Sequence, residues 1–209
     1  MKNFITFEGG ECSGKTTVIN YIKEELDKRG IKYITTREPG GIKISEKIRD
    51  ILLDKDNTTM CGETEALLYA ASRIQHLKEK VLPALEKGYV VICDRFLDSS
   101  LVYQGYARGL GIKDVLCANL FAEKYLPDLT LYLDSRPEIA LKRLNNKDRE
   151  EKKDRLDSEG LAFHQKVYDG YHELLKMYPE RIVLIDSEGS IEDVKRDSLA
   201  KILEYLGVK

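Results

Sequence analysis

"FITFEGGECSGKTT", residues 4–17, passes from an apolar run through three glycines to a lysine and paired threonines. Phe4-Ile5-Thr6-Phe7 is short and rich in β-branched and aromatic side chains, which predicts a buried strand, and the glycines after it predict a turn. From Gly9 the pattern is G-x-x-x-x-G-K-T, ending at Thr16. The next stretch, "TTVINYIKEELDKRG", has helical apolar spacing with Gly30 placed as a stop. Strand, glycine-rich loop and helix start together form a P-loop, in which inward-turned N–H groups and the positive end of the helix dipole cradle an anion. Gly9, Gly10, Glu11, Cys12, Ser13 and Gly14 build the cradle. Lys15 reaches β and γ phosphates, the Thr16 hydroxyl is a ligand for Mg2+, and Thr17 continues the helix start. A chance match in a glycine turn would lack this flanking pattern.

Outward from the loop, the same alternation recurs. Strand candidates at 3–8, 32–36, 89–94, 129–134 and 181–186 are separated by helical patterns. Near-continuous apolar strands alternating with amphipathic helices predict an α/β fold: three layers, a five-stranded parallel sheet covered by helices on both faces, of P-loop NTPase type. Ligands then sit beyond the carboxyl ends of the strands, where Gly9, Arg37, Asp94 and Asp134 all fall. The 209 residues suit one domain spanning 1–209.

With 34 basic and 36 acidic side chains, the net charge of −2 gives no global attraction to nucleic acid or an anionic membrane. No run of about 18 apolar residues is present and the chain enters a strand at once, so the expectation is a cytoplasmic protein without a membrane span. Cys12, Cys61, Cys93 and Cys117 lack C-x-x-C spacing, which suits small, reduced, mostly buried residues rather than a zinc site.

Four further stretches carry candidate chemistry. "VVICDR" ends a strand with Asp94, placed to hold Mg2+ with the P-loop Thr, or else to cap a helix; the adjacent Arg95 favours a phosphate clamp. Ser99, Ser100, Tyr103 and Gln104 follow, able to read a sugar or base edge, or merely to form a capped short helix. "TREPGG", residues 36–41, puts Arg37 at a strand end before a proline-glycine turn, and Arg49 faces solvent or the crevice. In the helical pattern over 63–87, interrupted by Pro83, Tyr69 and Arg73 stand four apart and share a face: a platform for a nucleobase, or ordinary surface packing. Lys142–Arg155 has seven basic and four acidic residues and reads as a solvated segment or a short basic lid over about 142–156.

Taken in order, "FEGGECSGKTT", "TREPGG", "LLYAASR", "DRFLDSSLVYQG" and "DRLDSEGLAFHQKVYDGY" resemble the thymidylate kinase family of nucleoside monophosphate kinases, through nearly the whole chain. The resemblance implies transfer of the γ-phosphoryl group of ATP to dTMP, giving dTDP and ADP in dTTP synthesis. It also implies roles. Lys15 and Thr16 serve ATP and Mg2+ with Asp94; Arg37 and Arg95 hold the dTMP phosphate; Tyr69 stacks on thymine and Arg73 reaches a base carbonyl. Glu11 approaches the sugar 3'-hydroxyl, Tyr103 crowds a 2'-hydroxyl, Ser100 and Gln104 contact the base edge, and Arg143 lies against adenine. Cys12 stands where some members carry a loop arginine, so the charge comes from lid Arg149 or Arg155, as in the bacterial type. A homodimer is likewise implied. Another nucleotide kinase, acting on dUMP, CMP or a deoxynucleoside, and a non-enzymatic nucleotide switch share the P-loop and stay open at this point.

Overall fold

The computed structural model describes residues 3–145, 155–156 and 159–208. Five strands, β1 (Phe4–Glu8), β2 (Tyr33–Arg37), β3 (Val90–Asp94), β4 (Leu129–Asp134) and β5 (Ile182–Asp186), form one sheet in the order β2-β3-β1-β4-β5. Every pairing is parallel, and each strand lies within a residue or so of the apolar run that predicts it. The expected α/β class and five-stranded parallel sheet are therefore observed.

Side chains of β1 alternate between two cores. Ile5 and Phe7 pack with Val18, Ile22 and Leu26 of α1 (Lys15–Lys28) and with Val194 and Ile202 of α10 (Ile191–Leu206). Phe4 faces the opposite layer, built on α3 (Gly62–His76), α4 (Leu82–Glu86), α5 (Leu97–Ser100) and α9 (Leu161–Met177). In that layer a polar seam runs beneath the sheet. Thr6 and Thr130 share a hydrogen bond of 2.8 Å, and Arg181 grips both oxygens of Asp98 at 2.7 Å.

The helical pattern over 63–87 becomes α3, a π-helical turn over Leu77–Val81, and α4. Pro83 explains the change, since it lacks the N–H for the ladder and its ring crowds the carbonyl four residues back, so the helix widens for one turn. A second π-helical turn, Leu101–Ala107, follows α5. The remaining helices are α2 (Lys43–Leu53), α6 (Ile112–Ala118), α7 (Leu120–Glu123) and α8 (Pro137–Asn145). Of the cysteines, Cys93 is buried as expected, but Cys61 and Cys117 are exposed because they lie near helix ends outside both cores.

The registers bring the functional edge into line. Phe7 pairs with Asp94 and Arg37 with Asp94, so β1, β3 and β2 end level. Arg95 N–H then bonds the Phe7 carbonyl and Glu38 N–H the Asp94 carbonyl, both at 2.9 Å, which locks the loops beyond them to one crevice.

Candidate active site

A cavity of about 290 Å³ opens at this edge. Its wall includes Glu11, Cys12, Ser13, Gly14, Lys15, Thr16, Thr17, Arg37, Tyr69, Arg73, Asp94, Arg95, Ser100, Tyr103 and Gln104, all of them expected from the sequence. Gly10 borders a smaller cavity of about 20 Å³ behind the loop. Gly9 lies beneath, where a Cβ would stand 2.7 Å from the Leu133 carbonyl; no other residue fits there.

The phosphate loop holds Cys12 at φ 53° and Gly14 at φ 95°, in left-handed backbone that turns the chain around the cavity. Among the described residues no side chain caps α1, so its first N–H groups are suited to an anion. Lys15 Nζ donates to the carbonyls of Gly9 (3.1 Å) and Gly10 (2.9 Å) and to Ser13 Oγ (3.2 Å). Burial and the nearby Arg95 lower its pKa, against the pull of Asp94, Glu11 and Glu8. Asp94 Oδ1 is buried with no hydrogen-bond partner among the described residues.

Arg95, at φ 65°, leaves its strand in a conformation that a bulky residue rarely adopts. Its guanidinium donates to Glu11 Oε1 (2.6 Å) and Ser99 Oγ (3.1 Å) and lies 5.2 Å from the ring centroid of Tyr103. Tyr103 OH donates to the same Glu11 oxygen at 3.1 Å. Burial pushes Glu11 up, but Arg95, Lys15 and the Tyr103 hydroxyl together hold it below the usual carboxylate range. Glu8, buried beneath them, accepts from Phe96 N–H (2.7 Å), Ser99 Oγ (2.6 Å) and Tyr171 OH (2.8 Å) and so fixes the turn that aims Arg95.

Arg73 is 1% exposed and almost saturated. Nε bonds Glu38 (2.8 Å), Nη1 bonds Asn119 (2.7 Å), and Nη2 bonds the Phe96 carbonyl (3.2 Å) and Ser100 Oγ (2.9 Å). Of its five N–H groups, these bonds leave one on Nη1. The second oxygen of Glu38 meets His76 Nδ1 at 2.9 Å, so the network ties β2 to α3. Tyr69 lies one helical turn before Arg73 and is buried in the same wall, so the two do share a face, though as part of the interior rather than as surface packing.

The other expected cations that the structure describes are held by partners of their own. Arg37 lines the cavity but grips both oxygens of Glu46 at 2.9 Å. Arg143 Nη2 donates to the Ser187 carbonyl (3.0 Å), just past β5. Arg155, expected among the lid charges, donates to the Leu52 carbonyl (3.0 Å) and to the buried carboxylate of Glu65. Arg149 lies outside the described residues. Arg49, which the sequence left between solvent and crevice, lines the cavity and donates to the Pro39 carbonyl at 3.0 Å. Sequence reasoning gave no role to Glu8, Glu38, His76 or Asn119. The periodicity marks Glu8 only as the end of an apolar strand, and nothing local singles out Asn119.

The likenesses to known proteins agree with this geometry. A family model described as thymidylate kinase matches residues 7–198. A thymidylate kinase of Clostridium novyi is 57% identical over 192 residues, covering 91% of this chain and 93% of that one. One from Oceanobacillus iheyensis is 55% identical, with 99% and 92% covered. The crystal structure of thymidylate kinase from Ehrlichia chaffeensis superposes with a TM-score of 0.76 at 28% identity, over 97% of this chain and 98% of that one. Because the family model matches residues 7–198 and these relatives cover nearly the whole chain, the chain belongs to the thymidylate kinase family.

Proposed function

We propose that this protein transfers the γ-phosphoryl group of ATP to the 5'-phosphate of dTMP, giving dTDP and ADP, in the supply of dTTP. The observation that carries the reading is a single cavity with a phosphate loop at one end and a buried aromatic, guanidinium and amide wall at the other. That wall, Tyr69, Arg73 and Gln104, is what a bare nucleotide switch does not need.

The acceptor is already a phosphate oxyanion, so no strong general base and no covalent enzyme intermediate are required; positioning and charge neutralisation supply the catalysis. Lys15 exchanges the carbonyls of Gly9 and Gly10 for the β and γ phosphates of ATP. Arg95, aimed by the Glu8 turn and steadied by Glu11, holds the dTMP phosphate together with Arg37 and Arg49, whose present partners are Glu46 and a backbone carbonyl. Tyr69 stacks on thymine, Ser100 and Gln104 meet its edge, and the remaining Nη1 proton of Arg73 is available for a base carbonyl. Glu11 and Tyr103 meet the deoxyribose, the Tyr103 ring filling space that a 2'-hydroxyl would take. Arg143 lies against adenine, and Arg149 or Arg155 supplies the lid charge, the present partner of Arg155 being Glu65.

The residues present fit a Mg2+ ion. Asp94 Oδ1 is a buried oxygen without a partner among the described residues, and Thr16 stands on the same wall. One carboxylate and one hydroxyl suit an ion that keeps waters and phosphate oxygens as its other ligands. When bound, the ion supplies charge neutralisation between the phosphates of the donor. Exposed Ile44 and Ile51 on α2 and Leu67 on α3 support the expected homodimer, which sedimentation tests. No helix among the described residues is long and apolar enough to cross a membrane. A cytoplasmic location, with ATP and dTMP rather than nucleic acid as partners, fits that finding and the balanced charge.

The test is ADP formation from Mg-ATP with dTMP, dUMP, dCMP, dGMP, AMP or no acceptor in parallel. Turnover that depends on dTMP supports the reading. Activity with another acceptor alone overturns the base assignments, and turnover indifferent to any acceptor overturns the kinase.

A further inference from the structure

Behind Gln104, off the cavity wall, stands Glu65 of α3, a carboxylate only 1% exposed. Four donors converge on it. Gln104 Nε2 approaches Oε1 at 2.7 Å, Arg108 reaches Oε1 and Oε2 at 3.2 and 3.3 Å, and Arg155 Nη2 bonds Oε2. Burial alone would raise the pKa of Glu65, but Gln104, Arg155 and Arg108 hold it below the ordinary range, so it is ionised and can only accept.

That consequence settles an orientation that an amide by itself leaves ambiguous. Turned over, Gln104 would place its oxygen against an oxygen of a buried carboxylate, a repulsive contact with no proton to relieve it. Its Nε2 is therefore held by Glu65, and the carbonyl Oε1 is the acceptor that this cavity-lining residue keeps for a ligand.

We infer that Glu65 is a specificity-determining positioning residue: by pinning Gln104 Nε2 it makes the base wall accept a pyrimidine ring N–H and reject a ring nitrogen lone pair. Thymine and uracil carry a proton on N3 and meet Oε1 as donors. Cytosine carries a lone pair there and meets it acceptor to acceptor. Selection against cytosine nucleotides is thus held in a residue that touches no substrate. The inference rests on the dTMP reading proposed above, but adds a discriminating element to it.

Glu65→Gln is the direct test, because the new amide can donate as well as accept and so permits Gln104 to turn over. The expected result is that the ratio of kcat/KM for dTMP over dCMP falls by about 10- to 100-fold, while the ratio for dTMP over dUMP is unchanged. A carboxylate that merely anchored Arg108 and Arg155 would instead lower all three acceptors by a common factor, and that result overturns the inference. Arg108→Gln serves as the matched control. It disturbs the same cluster while leaving the Gln104 to Glu65 bond, and should preserve both ratios; a fall in the dCMP discrimination equal to that of Glu65→Gln counts against the assignment.

Should Glu65→Gln fail to fold, the wild-type protein still decides. The side-chain amide signals of 15N-labelled Gln104 should show slow solvent exchange before dTMP is added and little change after it, since the base meets the other end of the amide. Fast exchange, or a large shift of the Nε2 protons on binding, contradicts the orientation. Wild-type enzyme that fails to use dTMP at all defeats the proposed function, a result readily told apart from unchanged selectivity in the variant.

Discussion

The two ends of the cavity are finished to different degrees. At the base end, Arg73 spends its protons on Glu38, Asn119, Ser100 and a backbone carbonyl, and Gln104 is pinned by Glu65. At the phosphate end, Lys15 folds back on its own loop, Asp94 Oδ1 has no partner among the described residues, and the exposed Arg37 is occupied by a half-buried Glu46. A buried, satisfied network is rigid and presents one pattern of donors and acceptors. Groups held by weak or interchangeable partners can be recruited by the phosphates when they arrive. Recognition of the base is thus built in before binding, whereas the charge arrangement for transfer is completed by the nucleotides themselves.

If this contrast is right, the same kind of substitution has opposite signatures at the two ends. Lys15→Ala should lower kcat by about a thousandfold, the scale of one charge-stabilising donor, with little change in the unfolding temperature, because the ammonium removed is itself buried and bonded to neutral oxygens. Steady-state kinetics and a thermal melt check both halves of that statement. Arg73→Ala should act chiefly on the fold. It strands buried Glu38 and Asn119, and denaturant melts should show a loss of about 3–5 kcal/mol. A stable Arg73→Ala protein with only a kinetic defect would place Arg73 with the movable groups.

Glu8 sits between the two ends, and its titration sharpens the contrast. Burial, with Asp98 nearby, pushes it up to about 7, against the pull of Arg95, Ser99 and Tyr171. The folded chain therefore holds a proton that the unfolded chain releases near 4.5. This group's contribution to stability is complete below that pH and is lost as pH rises through about 7. Glu8→Gln should flatten the fall in melting temperature across that window, which a series of melts at stepped pH reads out. The smallest effect is expected away from both ends. Ser190 Oγ accepts from Asp193 N–H at the start of α10, and Ser190→Ala should cost about 1 kcal/mol with kcat/KM unchanged.

The strands and the phosphate loop were legible in the sequence because their signals are local. An apolar run of five or six residues, a glycine spacing and a helix start all fall within a few positions, whereas the sheet order, set by pairings between distant strands, has no such local signal. The wall residues Tyr69, Arg95 and Tyr103 were legible for the same reason, standing in short motifs at strand ends or on one helical face. What escaped is the support behind them. Glu65 and Gln104 are 39 residues apart, Glu8 and Ser99 91 apart, and Arg73 and Asn119 46 apart. No local pattern encodes such pairs, since each partner alone reads as an ordinary polar residue on a helix or at a strand end. Arg155 belongs to the same class, standing in a charge-rich stretch 90 residues from the Glu65 carboxylate that it bonds.

The most direct test of a finished base end and an unfinished phosphate end is a crystal structure with dTMP and a non-hydrolysable Mg-ATP analogue. The bonds of Arg73 to Glu38 and Asn119 and of Gln104 to Glu65 should persist unchanged, while Lys15 leaves the Gly9 and Gly10 carbonyls for phosphate oxygens and Asp94 Oδ1 acquires a partner. Rearrangement of the Arg73 and Gln104 network around the base, with Lys15 still bound to its own loop, would contradict the account.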